Sequence, residues 1–426
     1  MYMRKNNTHG LILAAAALMV LAAACNTRVY DEEKYRTIIK YVSPVDSVDQ
    51  RHEWQLSTNQ TFRMAADNGK NAVAVMILTA NPLTDEGAAV MNKTFIGKGE
   101  TAELAVSVPM TQERLYAALV DEDDTYYVTP FSTSRRIVSF VNATSGKPVG
   151  KLAPQTYSYM FEENFPEPGD YDYNDLVLRL ATERTGDRTM TVSVTIAAVG
   201  GDLQMAGGIR LVGYKYGDID SIRIATGKSF NENVPQGSLY LFDKQDLLVE
   251  GRNGEAILNL FADAHWAMDP SLEVDYGRIR RNKYNVTNST NEKNLQCTPR
   301  SVSYVVYFKS SETLNKFTLD TLDPFIITAY SGGRWETHLD EWRAAQVLYE
   351  YPASTVKDLP WALRVPTADF YYPLEGAEIG FKKDGAMFGA YMTASHSFGE
   401  WAENCLNCLD WYEHQYATSI YVWNKP

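Results

Sequence analysis

Histidine is scarce in this chain, six residues in 426, and the short motifs of the common enzyme chemistries are missing. There is no G-x-S-x-G turn, no H-E-x-x-H pair and no glycine-rich phosphate loop. No enzyme site therefore rises above background. A positive surplus is lacking too. Acidic residues number 53 against 40 basic ones, and the formal net charge of −13 opposes binding to nucleic acid by field alone. The basic run Arg278 to Lys283 (RIRRNK) is too short and isolated to alter that. The longest apolar run, Leu11 to Ala24, falls short of the ~20 residues that a transmembrane helix needs. What is abundant points to a globular β protein: 45% hydrophobic residues, 12% aromatics and 27 tyrosines.

The first 25 residues read as a processing segment. Arg4 and Lys5 precede the apolar run, which ends in Leu21-Ala22-Ala23-Ala24-Cys25. Small residues before a cysteine resemble a bacterial lipobox, in which Cys25 would be lipidated and become the new N-terminus. Several acyl chains on one residue hold a protein to a membrane stably. Residues 26–50 are polar, with Asp31-Glu32-Glu33, and read as a tether. Acidic residues so placed resemble an export signal to the outer face of the outer membrane; a solvated linker explains them equally well.

Residues 51–145 show short alternating runs: Ala72 to Leu78, Thr101 to Val108, Arg114 to Val120, and a strand beginning at Thr125 to Val128. Asp121-Glu122-Asp123-Asp124 is a hairpin-turn signal more than a metal site. Strands at intervals near a dozen residues predict an immunoglobulin-like β-sandwich. Gly146 to Pro154 marks a boundary. Residues 155–426 then predict a larger, jelly-roll-like β-sandwich with a short C-terminal helix. Its strands are expected at Met190 to Val199, Gly208 to Tyr214, Ser221 to Ile224, Ser238 to Phe242, Ala256 to Phe261, Ser301 to Lys309 and Asp323 to Ile327. Arg278 to Gln296 reads as an exposed loop. Met387 to Ala402 carries aromatics at helical spacing, and the tail around Trp411, Tyr412, Tyr416, Tyr421 and Trp423 is expected to add a last strand.

One stretch organises this second half: Phe161 to Leu178, FEENFPEPGDYDYNDLVL. Asp170, Asp172 and Asn174 fall at alternate positions, so an extended chain would point them to one side and Tyr171 and Tyr173 to the other. Asp175 follows, and Glu162 and Glu163 precede. Gathered carboxylates repel, and a hard cation relieves that repulsion. Ca2+ takes six to eight oxygen ligands in a flexible geometry, so Glu162, Asp170, Asp172, Asn174 and Asp175 form a candidate Ca2+ site. An EF-hand it is not, because its sixth and twelfth positions from Asp170 are Asp175 and Ala181. The competing reading is an acidic turn whose side chains cap backbone N–H groups.

These residues also resemble the signature segment of the LruC-type domain family of bacterial envelope lipoproteins, with its FED…GDxDxND motif. Leu359 to Ile379 (LPWALRVPTADFYYPLEGAEI), Trp401 and Asp410-Trp411-Tyr412 resemble its closing block, and Asp323 to Ile326 with Glu336 to Trp342 match more weakly. The resemblance spans about Gln155 to Tyr412; Glu163 stands where Asp is usual, and Tyr173 where Phe is common. It implies an envelope location and an architecture more than an activity.

Cys405 and Cys408 form a C-x-x-C pair, for which an exported chain favours a disulfide. Zinc is the alternative, with His396, His414 or Cys297 completing it; redox chemistry would need a βαβ setting that is not visible. His265 sits beside Trp266. His338 could face a cleft with Glu336 and Asp340, although a packed histidine is the commoner case. The expected function is a non-catalytic, lipid-anchored surface protein that binds a glycan or protein ligand through a Ca2+-stiffened loop. A polysaccharide-active hydrolase with structural Ca2+, or a purely structural envelope component, are the alternatives.

Overall fold

The computed structural model describes residues 45–423 apart from 236–247, 253, 276–277, 290, 292, 331–332, 340, 343–358, 384–385, 390, 394–395 and 416–421. Cys25, most of the tether, the expected strand at Ser238 to Phe242, Asp340, Tyr416 and Tyr421 lie outside the described residues. The fold is mainly β, in two sandwiches. Among the described residues no helix is long and apolar enough to cross a membrane.

The first sandwich is built from β1 (Ser57–Ala65), β2 (Ala72–Leu78), β3 (Ala89–Phe95), β4 (Thr101–Pro109), β5 (Arg114–Asp121), β6 (Tyr126–Ser132), β7 (Ile137–Ser139), β8 (Thr144–Gly146) and β9 (Ala153–Pro154). A sheet ordered β4-β1-β7 faces one ordered β8-β6-β5-β2-β3-β9. Phe62, Met64, Leu104 and Val106 of the first meet Val75, Ile77, Leu115 and Leu119 of the second, all fully buried. The Asp121 turn is a capped hairpin: Oδ1 accepts the N–H groups of Asp123 and Thr125 at 3.0 and 2.9 Å. The Gly- and Pro-rich boundary is shorter than expected, since β9 still pairs with β3 and the sandwich ends at Pro154.

The second sandwich begins with β10 (Thr156–Phe161), β11 (Leu176–Gly186), β12 (Thr189–Val199), β13 (Met205–Lys215), β14 (Ile219–Thr226), β15 (Val249–Arg252) and β16 (Glu255–Phe261). After the helix α1 (Ala264–Met268) come the two-residue strands β17 (Val274–Asp275), β18 (Arg278–Ile279), β19 (Lys283–Tyr284) and β20 (Asn294–Leu295). Then follow β21 (Arg300–Phe308), β22 (Leu322–Tyr330), β23 (Gly333–Thr337) and β24 (Ala362–Val365). One sheet runs β14-β21-β12-β11-β10-β24, the other β15-β16-β13-β22-β23. Strand β21 shows why: Val302, Tyr304, Val306 and Phe308 alternate inward and are buried, whereas the residues between them are less so. They join Ile209, Leu211 and Leu258 of the opposite sheet in one core.

The outer face of the larger sheet carries a third layer. Met160, Val177 and Ala198 pack there against Phe370, Tyr372, Tyr391, Phe398, Trp401 and Trp411. This layer corrects three expectations. Met387 to Ala402 is not one helix: Ala386–Phe388 and His396–Ser397 are strand segments, and among the described residues of the stretch helix is confined to α2 (Phe398–Glu403). Gly389 interrupts it at φ 103°, where an added Cβ would lie 2.6 Å from the Glu378 carbonyl oxygen. Ser397 then caps the short helix, its Oγ accepting the Glu400 N–H. Trp411 and Tyr412 lie in a buried 3-10 turn, and among the described residues of the tail Val422–Trp423 pairs as a strand, with Tyr372–Pro373. The third correction concerns Arg278 to Gln296, which is pinned rather than loose. Buried Asn285 donates from Nδ2 to the carbonyls of Ala197 and Cys297 at 2.9 and 2.8 Å.

The start of the chain departs from expectation as well. The end of the tether and residues 51–56 belong to this third layer and not to the first sandwich. Val45, Trp54 and Leu56 are buried in it. The Asp49 N–H donates to the Ala402 carbonyl at 3.0 Å, and the His52 ring, 3.0 Å from the Trp401 carbonyl through Nε2, stacks on Trp54.

Candidate metal centre

Strands β10 and β11 are antiparallel neighbours whose last pair is Phe161 with Leu176. Residues 162–175 are therefore the loop of a long hairpin, closed at its base by that pair. Inside the loop the chain is not extended. Tyr171 and Tyr173 have φ of 57° and 55°, a left-handed conformation that costs side-chain-bearing residues about 1–3 kcal/mol each. Their geometry still separates acid from aromatic. Both tyrosine rings are buried in the third layer, and the Tyr173 hydroxyl donates to the Pro360 carbonyl at 2.9 Å. Both amides turn back on Glu162: Tyr173 N–H donates to Oε1 at 2.7 Å and Tyr171 N–H to Oε2 at 3.4 Å.

Glu162, Asp170 and Asp172 each place a carboxylate oxygen within 4.8 Å of the others. Glu162 and Asp172 are buried, whereas Asp170 is exposed, so the cluster opens to solvent on Asp170's side. Gly169 makes the approach feasible, because a Cβ there would lie 1.9 Å from Glu162 Oε2. Burial, then the charges of Asp172 and Asp170, push Glu162 well above the usual carboxylate range. Asp172 rises for the same reasons, burial first and then Asp170. Among the described residues no Lys or Arg forms an ion pair with any of the three. Lys283 is held instead by Glu375 and, at 3.7 Å, Asp202.

Two of the expected ligands stand to one side. Asp175 Oδ2 accepts the Glu163 N–H at 2.7 Å, and burial, then Glu162 and Glu163, raises its pKa. Glu163 in turn accepts the N–H groups of Asp202 and Leu203 at 2.8 and 2.9 Å. These two acids therefore do what the capping alternative describes. Asn174 Nδ2 donates to the Pro373 carbonyl at 3.2 Å, while its buried Oδ1 has no hydrogen-bond partner. It lies against Gly200, where a Cβ would come within 2.2 Å.

Sequence reading missed the parts that arrive from afar. The Gly376 N–H donates to Asp172 Oδ2 at 2.8 Å across 204 residues. Gly201 leaves room for Glu163, and buried His265 backs that turn, its Nε2 2.9 Å from the Gly201 carbonyl oxygen. The Gly200-Gly201 pair was the only local signal for this.

His338 is a packed histidine. Its Nδ1 lies 2.8 Å from Asp323 Oδ2 and its Nε2 3.4 Å from Glu336 Oε2, and the ring stacks on Phe325. Burial pushes its pKa down, but Asp323 and Glu336 outweigh that and hold it up at about 9. Arg210 and Arg334 complete the network, each 2.9 Å from one of those acids. Cys405 and Cys408 are not bonded to each other.

The class of protein is thus a two-sandwich β protein with a carboxylate-lined hairpin loop on its larger sandwich. Residues 188–412, more than half of the chain, match the family described as Domain of unknown function (DUF4842), and the chain belongs to that family. The match begins beyond the acidic loop. Among solved structures, a crystal structure of a "Putative lipoprotein" from Bacteroides ovatus aligns at a TM-score of 0.48 and 14% identity, covering 82% of this chain and 100% of that one. No curated protein matches.

Proposed function

We propose that this chain is a lipid-anchored protein of the bacterial envelope, of the LruC type, whose hairpin loop binds Ca2+ and which serves as a non-catalytic surface module for a glycan or protein ligand. Glu162, Asp170 and Asp172 are the core ligands, with Asn174 and Asp175 beside them. The observation that carries this reading is the convergence of three carboxylates, two of them buried, with no ion-paired Lys or Arg among the described residues. Buried like charges are costly without a counter-charge, and an all-oxygen donor set suits Ca2+. The ion's role would be to stiffen the loop, because a pre-ordered surface loses less entropy when it binds. Attachment rests on Cys25 and its lipobox-like approach.

The test is thermal unfolding of the full chain in detergent, with Ca2+ or with chelator. A ligand that binds only the native state adds about 2.7 kcal/mol at a hundredfold excess over its Kd. The midpoint should rise with Ca2+, and the rise should vanish in Asp172→Asn, which keeps the size of the side chain and one oxygen, for either the Asn174 or the Gly376 N–H group. An equal rise in both proteins, or none in either, would leave an acidic turn and remove calcium from the function. Calcium-dependent attachment to a glycan without turnover would then separate the binding module from a hydrolase.

A further inference from the structure

A second cluster of donor atoms lies in the C-terminal layer and differs in kind, with two imidazoles and one carboxylate. His396 stands in the segment His396–Ser397, directly before α2. Asp410 and His414 bracket the 3-10 turn Trp411–Glu413, and the chain leaving the turn brings the His414 ring back to the Asp410 carboxylate. The turn is firmly seated. Trp411 is fully buried, stacked on Trp401 with ring centroids 5.7 Å apart and edge-on to Phe398 at 5.1 Å.

From these positions both histidines reach one carboxylate. His396 Nδ1 is 2.8 Å from Asp410 Oδ1, and His414 Nε2 is 3.1 Å from Asp410 Oδ2. The two imidazoles stack with centroids 3.6 Å apart. The three donor atoms all lie within 4.8 Å of one another. Each side chain is about a third exposed, at 33%, 31% and 40%, so the cluster is open to an ion from solvent. The Cys405 and Cys408 thiols do not belong to this donor set.

We propose that His396, Asp410 and His414 form a second metal site, for a borderline divalent ion of which Zn2+ fits best. Imidazole nitrogen suits Zn2+, Cu2+ and Ni2+, whereas Ca2+ takes oxygen. Zn–N and Zn–O bonds of about 2.0–2.2 Å set tetrahedral ligands about 3.4 Å apart, close to the nitrogen–oxygen distances already present. The ion would take the place of the two contacts between ring nitrogens and Asp410, with each imidazole carrying its hydrogen on the nitrogen turned away from the metal. Three protein ligands leave the fourth position to water or to an exogenous group. The site is independent of the calcium loop in residues and in donor chemistry; it shares His396 and His414 with the sulfur-based zinc site that the C-x-x-C pair suggests, but takes Asp410 in place of the thiols.

The experiment is calorimetric titration of the full chain, free of any polyhistidine tag, with Zn2+ and separately with Ca2+. The expected result is one equivalent of Zn2+, held through a ring-nitrogen lone pair of each imidazole, which keeps its hydrogen on the other nitrogen. His396→Gln and His414→Gln should each weaken it by more than about a hundredfold, beyond the 10–100-fold that loss of an outer supporting partner costs. Zn2+ binding should persist in the Cys405→Ser/Cys408→Ser double variant and in Asp172→Asn. Co2+ added to the unaltered chain gives a readout that needs no variant: a visible band of low-coordinate cobalt without a thiolate charge-transfer band. Zn2+ binding that is absent, that survives loss of the histidines, or that is lost with the cysteines would overturn the proposal and leave a hydrogen-bonded His–Asp–His cluster.

Discussion

Glu162 condenses the behaviour of the loop into one side chain. Its carboxylate is fully buried, takes two backbone N–H groups, and faces Asp170 and Asp172. Glu162, Glu163, Asp172 and Asp175 are all raised above the usual carboxylate range, burial being the largest cause in each. The sign of the pH dependence follows. Above the ordinary carboxylate pKa near 4 the unfolded chain has released these protons while the ion-free native state still holds them. Stability in chelator should therefore fall as pH rises from the ordinary carboxylate range towards neutrality. Ca2+ competes with those same protons, so its stabilising effect should grow over that interval. Melting curves with and without Ca2+ at both ends of the range check this. A calcium shift of equal size at both pH values would place the ion elsewhere.

At the scale of elements, the segment leading into β1 acts as part of the larger sandwich, although the whole of the other sandwich, residues 57–154, follows it. Trp54 is 4% exposed, lies 3.7 Å from the His52 ring and meets the edge of Trp401 at 5.2 Å. Trp54→Ala should cost about 3–5 kcal/mol, as large-to-small changes in a packed aromatic core do. Urea unfolding measures this, and a loss below about 1 kcal/mol would mean that the segment merely rests on the surface. The helix α2 that receives it is only six residues long, so it depends on this packing rather than on its own propensity.

Across the whole molecule, the two sandwiches meet through buried polar contacts. Arg184 of β11, its side chain 3% exposed, donates from Nη1 to Thr94 Oγ1 of β3 at 2.7 Å and also to Asn315. Asn92 donates to the Phe317 carbonyl at 3.1 Å, Ser57 to Asp320 at 2.8 Å, and Tyr157 to the Ser107 carbonyl at 3.0 Å. Both faces of β4 are consequently buried: Leu104 and Val106 in the sandwich core, Ser107 beneath the second sandwich. Such an interface should make the chain melt as one unit. Arg184→Ala leaves buried Thr94 and half-buried Asn315 without this partner, a penalty of about 1–3 kcal/mol for the buried hydroxyl. Scanning calorimetry should show a single transition in the unaltered chain and an earlier, separate one for residues 57–154 in the variant. A lower but still single transition would mean that the interface survives without Arg184.

What the sequence by itself determined was local. Alternation in Ser301 to Lys309 marked a strand correctly, because a two-residue period decides which face is buried wherever one face meets a core; that in Thr101 to Val108 marked a strand too, although the second sandwich buries its other face as well. The same logic singled out Asp170, Asp172 and their tyrosines as a sorted pair of faces, although left-handed turns and not a strand perform the sorting. Tertiary structure decided which groups converge. Glu162 meets Asp170 because the β10–β11 hairpin closes and Gly169 has no Cβ, while Asp175 is drawn off by the Glu163 N–H. Gly389 breaks a helix that spacing alone allowed, since a Cβ there would lie 2.7 Å from the Gly380 Cα. His396 and His414 stand 18 residues apart in the sequence and share Asp410 only because the Trp401–Trp411 stack holds their elements together. Patterning fixes burial residue by residue, but a site is a meeting of distant atoms, and that depends on long-range packing and on clearances of a few ångströms that no local period encodes.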